Sequence, residues 1–389
     1  MSRTKIYITK YGGYHGAAAS LDDGTPVFRL DHTTEEHITT SLTRVLKQSG
    51  AMTTLDRVSK LALASALHAC KDDSLPLDCS VIAASARGAT STLEQAIKTF
   101  HSEHRVAPLT SPLTTAGGIA STLARMLHTT KSNPITIGTS MACASFFEAL
   151  LIAQSLLLAK KTKRAIVVGA EAPLTAFTIG QMKALKIYSP YQADAHPCRP
   201  FTCITEHKNS LVLGEGAGCF LLETEESLEE TQHTPVACID GIGFSQELTS
   251  TLTGMTDEGT GYLAAMQQAL TEASITRPDL IIAHAAGTVV GDGAEQQALT
   301  TLFASDVPAV FSTKHETGHT FGASAALSVL YALDCFNTQQ LPRNPSGSFM
   351  QQTFHAHMTR NDRSIHSCLM NASGFGGVTL SVVLSRPNS

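Results

Sequence analysis

A chain of 389 residues that is 43% hydrophobic can bury a large core, yet it exceeds one compact unit of ~150 residues, so two lobes or an internal duplication are expected. Only 16% of its residues are charged and the formal net charge is −5, which excludes the basic field that holds nucleic acid. No apolar run reaches the roughly 18 to 20 residues of a membrane span, and "MSRTKIYITKYGG" has no signal-peptide core, so a cytoplasmic setting is expected.

In chain order, ten short runs rich in β-branched and apolar residues read as strands: "KIYIT" at 5, "CSVIAAS" at 79, "ITIGTS" at 135, "RAIVVGA" at 164, "CFLLE" at 219, "VACIDGIG" at 236, "DLIIAH" at 279, "AVFSTK" at 309, "SCLMNAS" at 367 and "TLSVVLS" at 379. Between them lie stretches with helical spacing, including "SKLALASALHACK" (59–71), "GYLAAMQQALTEA" (261–273) and "SAALSVLYALDCF" (324–336). Alternation of this kind predicts an α/β architecture with sheets buried on both faces. Two segments, 134–159 and 308–336, share a plan: a strand, a polar loop bearing a nucleophile or base, then a helix apolar nearly all round. Such a helix must be buried. The chain therefore divides into similar halves, 1–229 and 230–389, meeting near the acidic connector "ETEESLEETQHT".

Nine cysteines (70, 79, 143, 198, 203, 219, 238, 335 and 368) are scattered with no two-residue-spaced pair, which argues against a zinc site or a dithiol centre. Most read as buried small hydrophobes. Cys143 differs because "GTSMACASFFEALLIAQ" places it where a turn becomes an apolar helix. There, unpaired N–H groups and the positive end of the helix dipole favour thiolate. In the second half His284 follows one predicted strand, and Lys314 and His319 follow another, where open α/β sheets commonly put their sites. "NASGFGGVTLSVVL" adds a turn carrying Asn371, Phe375, Gly376 and Gly377, whose glycines permit a tight backbone.

The order of these motifs resembles the β-ketoacyl-[acyl-carrier-protein] synthases of the thiolase superfamily, over most of the chain from about residue 55 onward. "MACAS" is similar to the nucleophile motif, and "HAAGTVVGDGAE" matches H-G-T-G-T-x-x-G-D-x-x-E at His284, Gly287, Thr288, Gly291, Asp292 and Glu295. "KHETGHTFGASA" matches K-S-x-x-G-H-x-x-G-A-A-G at Lys314, Gly318, His319, Gly322 and Ala323; "LVLGEGAG" and the terminal "GFGG" complete the set.

The resemblance implies a thiolase-like fold, two similar halves in α-β-α-β-α layers, the first carrying Cys143 and the second His284, His319 and Lys314. It implies decarboxylative condensation: an acyl group from an acyl carrier protein moves to Cys143, and malonyl carrier protein then loses carbon dioxide and attacks. The backbone at Cys143 and at the gating turn of Phe375 and Gly376 would hold the oxyanion. Both histidines would bond the thioester oxygen, and Lys314 would tune them, paired with Asp292 or Glu295, with Thr288 in support. No metal or organic cofactor is implied. The implied partners are acyl carrier protein and, as homodimer or heterodimer, a second synthase chain.

Departures from the family pattern are Ala285 and Ala286 after the first histidine, Asn209 and Ser210 before "VLG", Ser328 where relatives carry a glutamate, and Ser373 in place of an aromatic. They fit a polyketide or polyene-type pathway better than housekeeping fatty acid synthesis. Chain-length factors, the non-elongating partners in ketosynthase heterodimers, typically lack the cysteine that is present here. A thiolase would need a second cysteine in the terminal turn, whereas Cys368 precedes that turn and reads as a strand residue. The basic run "AKKTKR" (159–164) reads either as a carrier-protein contact or as cations opposing a helix C-terminus.

Overall fold

All ten predicted runs become strands and pair into one sheet. The computed structural model describes residues 4–49, 55–70, 79–127, 134–192, 194–341 and 364–387. Its strands are β1 (Ile6–His15), β2 (Ala17–Ser20), β3 (Pro26–Arg29), β4 (Cys79–Ala84), β5 (Thr136–Thr139), β6 (Arg164–Glu171), β7 (Gly216–Thr224), β8 (Ala237–Gln246), β9 (Leu280–Ile282), β10 (Ala309–Phe311), β11 (Ser367–Gly374) and β12 (Val378–Ser385). The large sheet runs β10-β9-β11-β12-β8-β1-β7-β6-β4-β5, and β2 with β3 forms a separate hairpin that the sequence reading did not contain.

The sheet is two five-stranded sets with one topology. Taken in chain order, β1, β4, β5, β6 and β7 lie side by side as third, second, fourth, fifth, first, and β8 to β12 do the same. In both sets the first three of these positions are parallel and the last two antiparallel. Among the described residues the two sets are joined by strand pairing only where Ile6, Tyr7 and Ile8 pair with Ile239, Cys238 and Ala237. So short a seam lets the two sets face each other across a common core.

Side-chain alternation assigns the layers. In β6, Ala165 and Val167 pack with the helices Ser145–Leu158 and Ser324–Thr338, while Ile166 and Val168 face the outer helices Arg57–Cys70 and Gly118–Leu127. In the second set Leu380 and Val382 of β12 face the same central pair, and Val383 faces Thr260–Ala273 and Val289–Phe303. The result is the α-β-α-β-α layering expected above. The central helices are apolar all round because both their faces are covered, and each fully buried Leu or Phe in them contributes ~1.5–3 kcal/mol. Their small residues have a steric reason: a Cβ on Gly169 of β6 would stand 2.8 Å from the Phe146 ring and 3.0 Å from Ala326. The close approach carries the start of each central helix, and the loop before it, to the same end of the two sets.

The acidic connector is more ordered than a solvated link. Thr224 caps a short helix, Glu225–Thr231, and Glu223 is buried, accepting hydrogen bonds from Thr9 (2.6 Å) and Ser227 (2.7 Å). Arg164 pairs with Glu223 and Glu230, and Lys163 with Glu230, so that end of the basic run is tied down within the chain. Among the described residues no helix is long and apolar enough to cross a membrane.

Candidate active site

Cys143 sits at the tip of a tight turn between β5 and the helix Ser145–Leu158. Ala142 takes a left-handed conformation (φ 46°), and Ser145 Oγ accepts from the Met141 N–H (2.8 Å) while donating to the Ala142 carbonyl (2.5 Å). The turn holds the sulfur at the junction of the two sets, almost wholly buried.

Here the expectation of a lowered thiol pKa is overturned. Burial, reinforced by the Glu171 carboxylate, pushes the Cys143 thiol up to about 12, with Lys314 opposing. The helix proper begins at Ser145, so Cys143 lies outside its first turn, and loss of solvation outweighs what the helix end offers. Cys143 therefore rests as a thiol, which would have to hand its proton to a neighbour before acting as a nucleophile. Alkylation of Cys143 by iodoacetamide is expected to rise about tenfold per pH unit from pH 6 to 8, following the thiolate fraction, with no plateau. Mass-spectrometric rates at Cys143 check this; a plateau by pH 7 would show a depressed pKa instead.

That neighbour is His319, whose Nε2 is 3.1 Å from Sγ. Backbone hydrogen bonds place it: its N–H donates to the Val212 carbonyl (2.7 Å), and its carbonyl accepts from Gly214 (3.2 Å). On the far side of the ring Nδ1 lies 3.0 Å from Ser324 Oγ. A hydroxyl can donate or accept by rotating, so Ser324 supports either neutral tautomer of His319. The His284 ring stands edge-on to it, with centroids 5.3 Å apart. Burial lowers the His319 pKa to about 3, helped by Lys314, and drives His284 well below the ordinary range. Both imidazoles are neutral, each with one N–H to donate.

Lys314 is buried beneath them, its Nζ 3.5 Å from the Ala283 carbonyl. Burial lowers its pKa, against the pull of Glu295 and other nearby anions. The expected pairing with Asp292 or Glu295 is not formed: among the described residues Lys314 makes no ion pair. The two carboxylates are spent on backbone. Asp292 accepts from the N–H groups of Phe201 (2.7 Å), Gly287 (3.1 Å) and Thr288 (3.1 Å). Glu295 accepts from those of His284 (2.9 Å) and Ala285 (2.8 Å) and from Asn371 Nδ2 (2.8 Å). They shape the loop that carries His284, and the Lys314 charge adds to burial in lowering both imidazoles.

The terminal turn closes on Cys143. A Cβ on Gly374 would fall 2.9 Å from Ala142 Cβ and 3.1 Å from the Cys143 amide nitrogen, so glycine is what lets β11 approach. Gly376 (φ 90°) donates its N–H to the Leu252 carbonyl (2.7 Å), and Phe375 projects half exposed at the mouth of a cavity of about 390 Å³. Cys143, His284, His319 and Thr288 line that cavity, with Met182, Leu211 and Ala286 making much of it apolar.

The departures acquire local reasons. Asn209 bridges two loops at the cavity edge, accepting from the Val289 N–H (2.8 Å) and donating to the Lys186 carbonyl (3.0 Å). Ser210 is pressed against Gly287, where a Cβ would meet its Oγ at 2.8 Å. Ser328 donates to the Ser324 carbonyl (3.2 Å), and Ser373 donates to the Val378 carbonyl (3.2 Å). Cys368 is fully buried within β11.

Sequence reasoning missed Glu171 and Ser324. Glu171, buried at the end of β6, accepts from Ser85 (2.9 Å) and from the N–H groups of Ala86 (2.7 Å) and Gly322 (3.1 Å), tying the turn after β4 to the loop after His319. Burial raises it to about 7. A carboxylate closing the apolar run "AIVVGA" was the available signal. Ser324 is one of two serines in the helix Ser324–Thr338, and nothing local marks it.

A thiol that can pass its proton to a neutral imidazole, with a second imidazole beside it at the end of an apolar cavity, suits acyl transfer onto sulfur followed by carbon–carbon bond formation. That is the chemistry of thiolase-like condensing enzymes. The comparisons with known proteins narrow the class: residues 36–227 match the β-ketoacyl synthase N-terminal domain and residues 236–348 its C-terminal domain, and the chain belongs to the β-ketoacyl synthase family. It is 29% identical over 290 residues to 3-oxoacyl-[acyl-carrier-protein] synthase 2 of Staphylococcus aureus, covering 72% of this chain and 70% of that one. To the mitochondrial 3-oxoacyl-[acyl-carrier-protein] synthase of Arabidopsis thaliana it is 29% identical over 208 residues, covering 51% of this chain and 43% of the other. Among solved structures the fold is similar to the ishigamide ketosynthase/chain length factor (TM-score 0.80, 17% identity, 100% of both chains). It is also similar to a ketosynthase in complex with its chain length factor from Xenorhabdus doucetiae (TM-score 0.74, 21% identity, 100% of both chains).

Proposed function

We propose that this chain is a β-ketoacyl-[acyl-carrier-protein] synthase that elongates an acyl chain by decarboxylative Claisen condensation. The observation that carries the reading is the 3.1 Å approach of His319 Nε2 to Cys143 Sγ, with the His284 ring alongside, at the end of the apolar cavity. In the first half-reaction Cys143 Sγ attacks the thioester carbonyl of an acyl carrier protein. Its proton passes to His319 Nε2 and then to the departing pantetheine sulfur, and the N–H groups of Cys143 and Phe375 hold the oxyanion. In the second, the malonyl thioester breaks its bond to carbon dioxide and its electron pair moves toward the thioester oxygen, where the N–H groups of His284 and His319 receive the charge. The resulting carbanion attacks the acyl-Cys143 carbonyl, and sulfur leaves.

Burial, with the Lys314 charge adding to it, keeps both imidazoles neutral at rest, so that both donate to the thioester oxygen in the second half-reaction; His319 carries charge only while the Cys143 proton is in transit. Asp292 and Glu295 hold the His284 loop. The chemistry draws on carrier-bound phosphopantetheine and calls for no metal or organic cofactor, in a cytoplasmic setting. Incubation with an acyl carrier protein charged with acyl and then malonyl groups tests the reading. Intact-mass measurement should find the acyl mass on Cys143, followed by a product two carbons longer.

Both members of a ketosynthase and chain-length-factor pair share this fold, so the fold does not distinguish an elongating chain from a non-elongating one. The intact thiol–imidazole contact favours elongation, and the same mass measurement on the isolated chain decides it. The partner surface follows from the sheet. β5 is an edge strand among the described residues, with Thr136 and Gly138 exposed, and in the same half of the chain the helix Thr90–Glu103 exposes Leu93, Ile97 and Phe100 along one face. An unpaired edge and an exposed apolar stripe are each marks of an incomplete interface. The double variant Ile97→Asp/Phe100→Asp should halve the mass measured by light scattering; an unaltered mass would remove this face from the dimer.

A further inference from the structure

Tyr262 stands in the first turn of the helix Thr260–Ala273 and is, among the described residues, the largest side chain buried almost completely. Its ring belongs to the outer core of the second set, among Phe201, Met266 and Leu369. It also lines the cavity shared by Cys143, His284 and His319. Its hydroxyl has no hydrogen-bond partner among the described residues, and His284 Nδ1 of the same cavity is likewise unpartnered.

Ser373 is a polar neighbour that acts on the phenol from outside hydrogen-bond geometry, and the polar groups around the ring already serve other partners. Ser373 Oγ donates to the Val378 carbonyl and accepts from Thr379 Oγ1 (3.1 Å), and the Glu295 oxygens are taken by two backbone N–H groups and Asn371. A phenylalanine would fill the same volume without burying an unmatched hydroxyl, which loses its water and gains nothing in return. The mismatch is removed when the cavity holds a molecule with an acceptor at that point.

Resting on the synthase reading above, we propose that Tyr262 is a specificity-determining residue, whose hydroxyl donates a hydrogen bond to an oxygen of the thioester substrate in the cavity. Burial keeps the phenol protonated, and hence a donor, at every working pH. Two substrate oxygens have this chemistry: a keto or hydroxyl oxygen on the acyl chain resting on Cys143, and an oxygen of the malonyl unit. The choice between them decides whether Tyr262 selects oxygenated chains or positions the extender.

The test is Tyr262→Phe in the full chain, which keeps the ring and removes one oxygen. Acylation of Cys143 is followed by intact mass with 3-oxooctanoyl and octanoyl carrier protein, and condensation is followed by kcat and KM for malonyl carrier protein. If the acyl chain supplies the oxygen, Y262F lowers acylation by the 3-oxo substrate about tenfold and leaves octanoyl transfer unchanged. If the extender supplies it, acylation is unchanged with both substrates, and KM for malonyl carrier protein rises about tenfold with kcat nearly constant. Equal behaviour of the two proteins in every assay overturns the proposal. So does a uniform loss with all substrates accompanied by a lower melting temperature, which marks a packing role. Absence of any acyl mass on wild-type Cys143 overturns the synthase reading itself, and is distinguished from the first two by needing no variant.

Discussion

Cys143→Ala will fold and be unable to form an acyl-enzyme. Trimming one sulfur from a buried turn leaves the Ser145 hydrogen bonds that shape it intact, so the melting temperature should move by only a few degrees. The chemistry has no substitute. Among the described residues Cys143 is the cysteine lining the cavity, and without it the acyl group has nowhere to rest between the two half-reactions. Condensation measured as kcat/KM should fall by at least about a thousandfold, and intact mass should show no acyl adduct. Persistent acylation in the alanine variant would place the nucleophile elsewhere and undo the mechanism. The serine variant is expected to be nearly as inactive, because a buried hydroxyl is a far weaker nucleophile than a thiol at the same position.

The two imidazoles should fail differently. His319 touches the sulfur, so His319→Ala removes the proton acceptor for acylation as well as a donor in the second step, and both half-reactions should slow by about 10²- to 10⁴-fold. Among the described residues only His319 makes a hydrogen bond to Sγ, and His284 makes none, so His284→Ala should still take an acyl group on Cys143. It should lose carbon dioxide release from malonyl carrier protein by a similar factor. Separate assays of acyl mass and of released carbon dioxide resolve the two effects. Equal losses in both steps for both variants would mean that the histidines act as one unit, rather than in the divided roles the geometry assigns. Neither variant should alter the pH response through an imidazole titration between pH 6 and 8, because burial keeps both rings neutral there.

The architecture was readable because its signals are local. Strands buried on both faces demand unbroken apolar runs, and helices buried all round demand small and apolar residues, so ten strands and the central helices announce themselves in the letters. The hairpin of β2 and β3 escaped because "AAAS" carries no alternation and no β-branched residue, and its pairing partner is supplied by the fold rather than by composition. The site divided along the same line. Cys143, His284, Lys314 and His319 stood out because each follows a strand end at a turn.

The protonation of those groups was not readable, since it depends on how completely the two sets exclude water around them. Helix position predicted a thiolate, and burial between two sheets delivers a thiol. Asp292 and Glu295 could be singled out as carboxylates but not assigned: only the folded loop shows that backbone N–H groups claim them before Lys314 can. Glu171, Ser324 and Tyr262 come from three segments far apart in the chain, and no spacing links them to the sulfur. The sequence by itself determined which segments form strands and helices and which residue types could do chemistry, because periodicity and residue chemistry act over a few positions. Tertiary structure decided which of those residues meet, which keep their protons and which polar atoms are left for a substrate, because distance and desolvation exist only once the two halves are packed together.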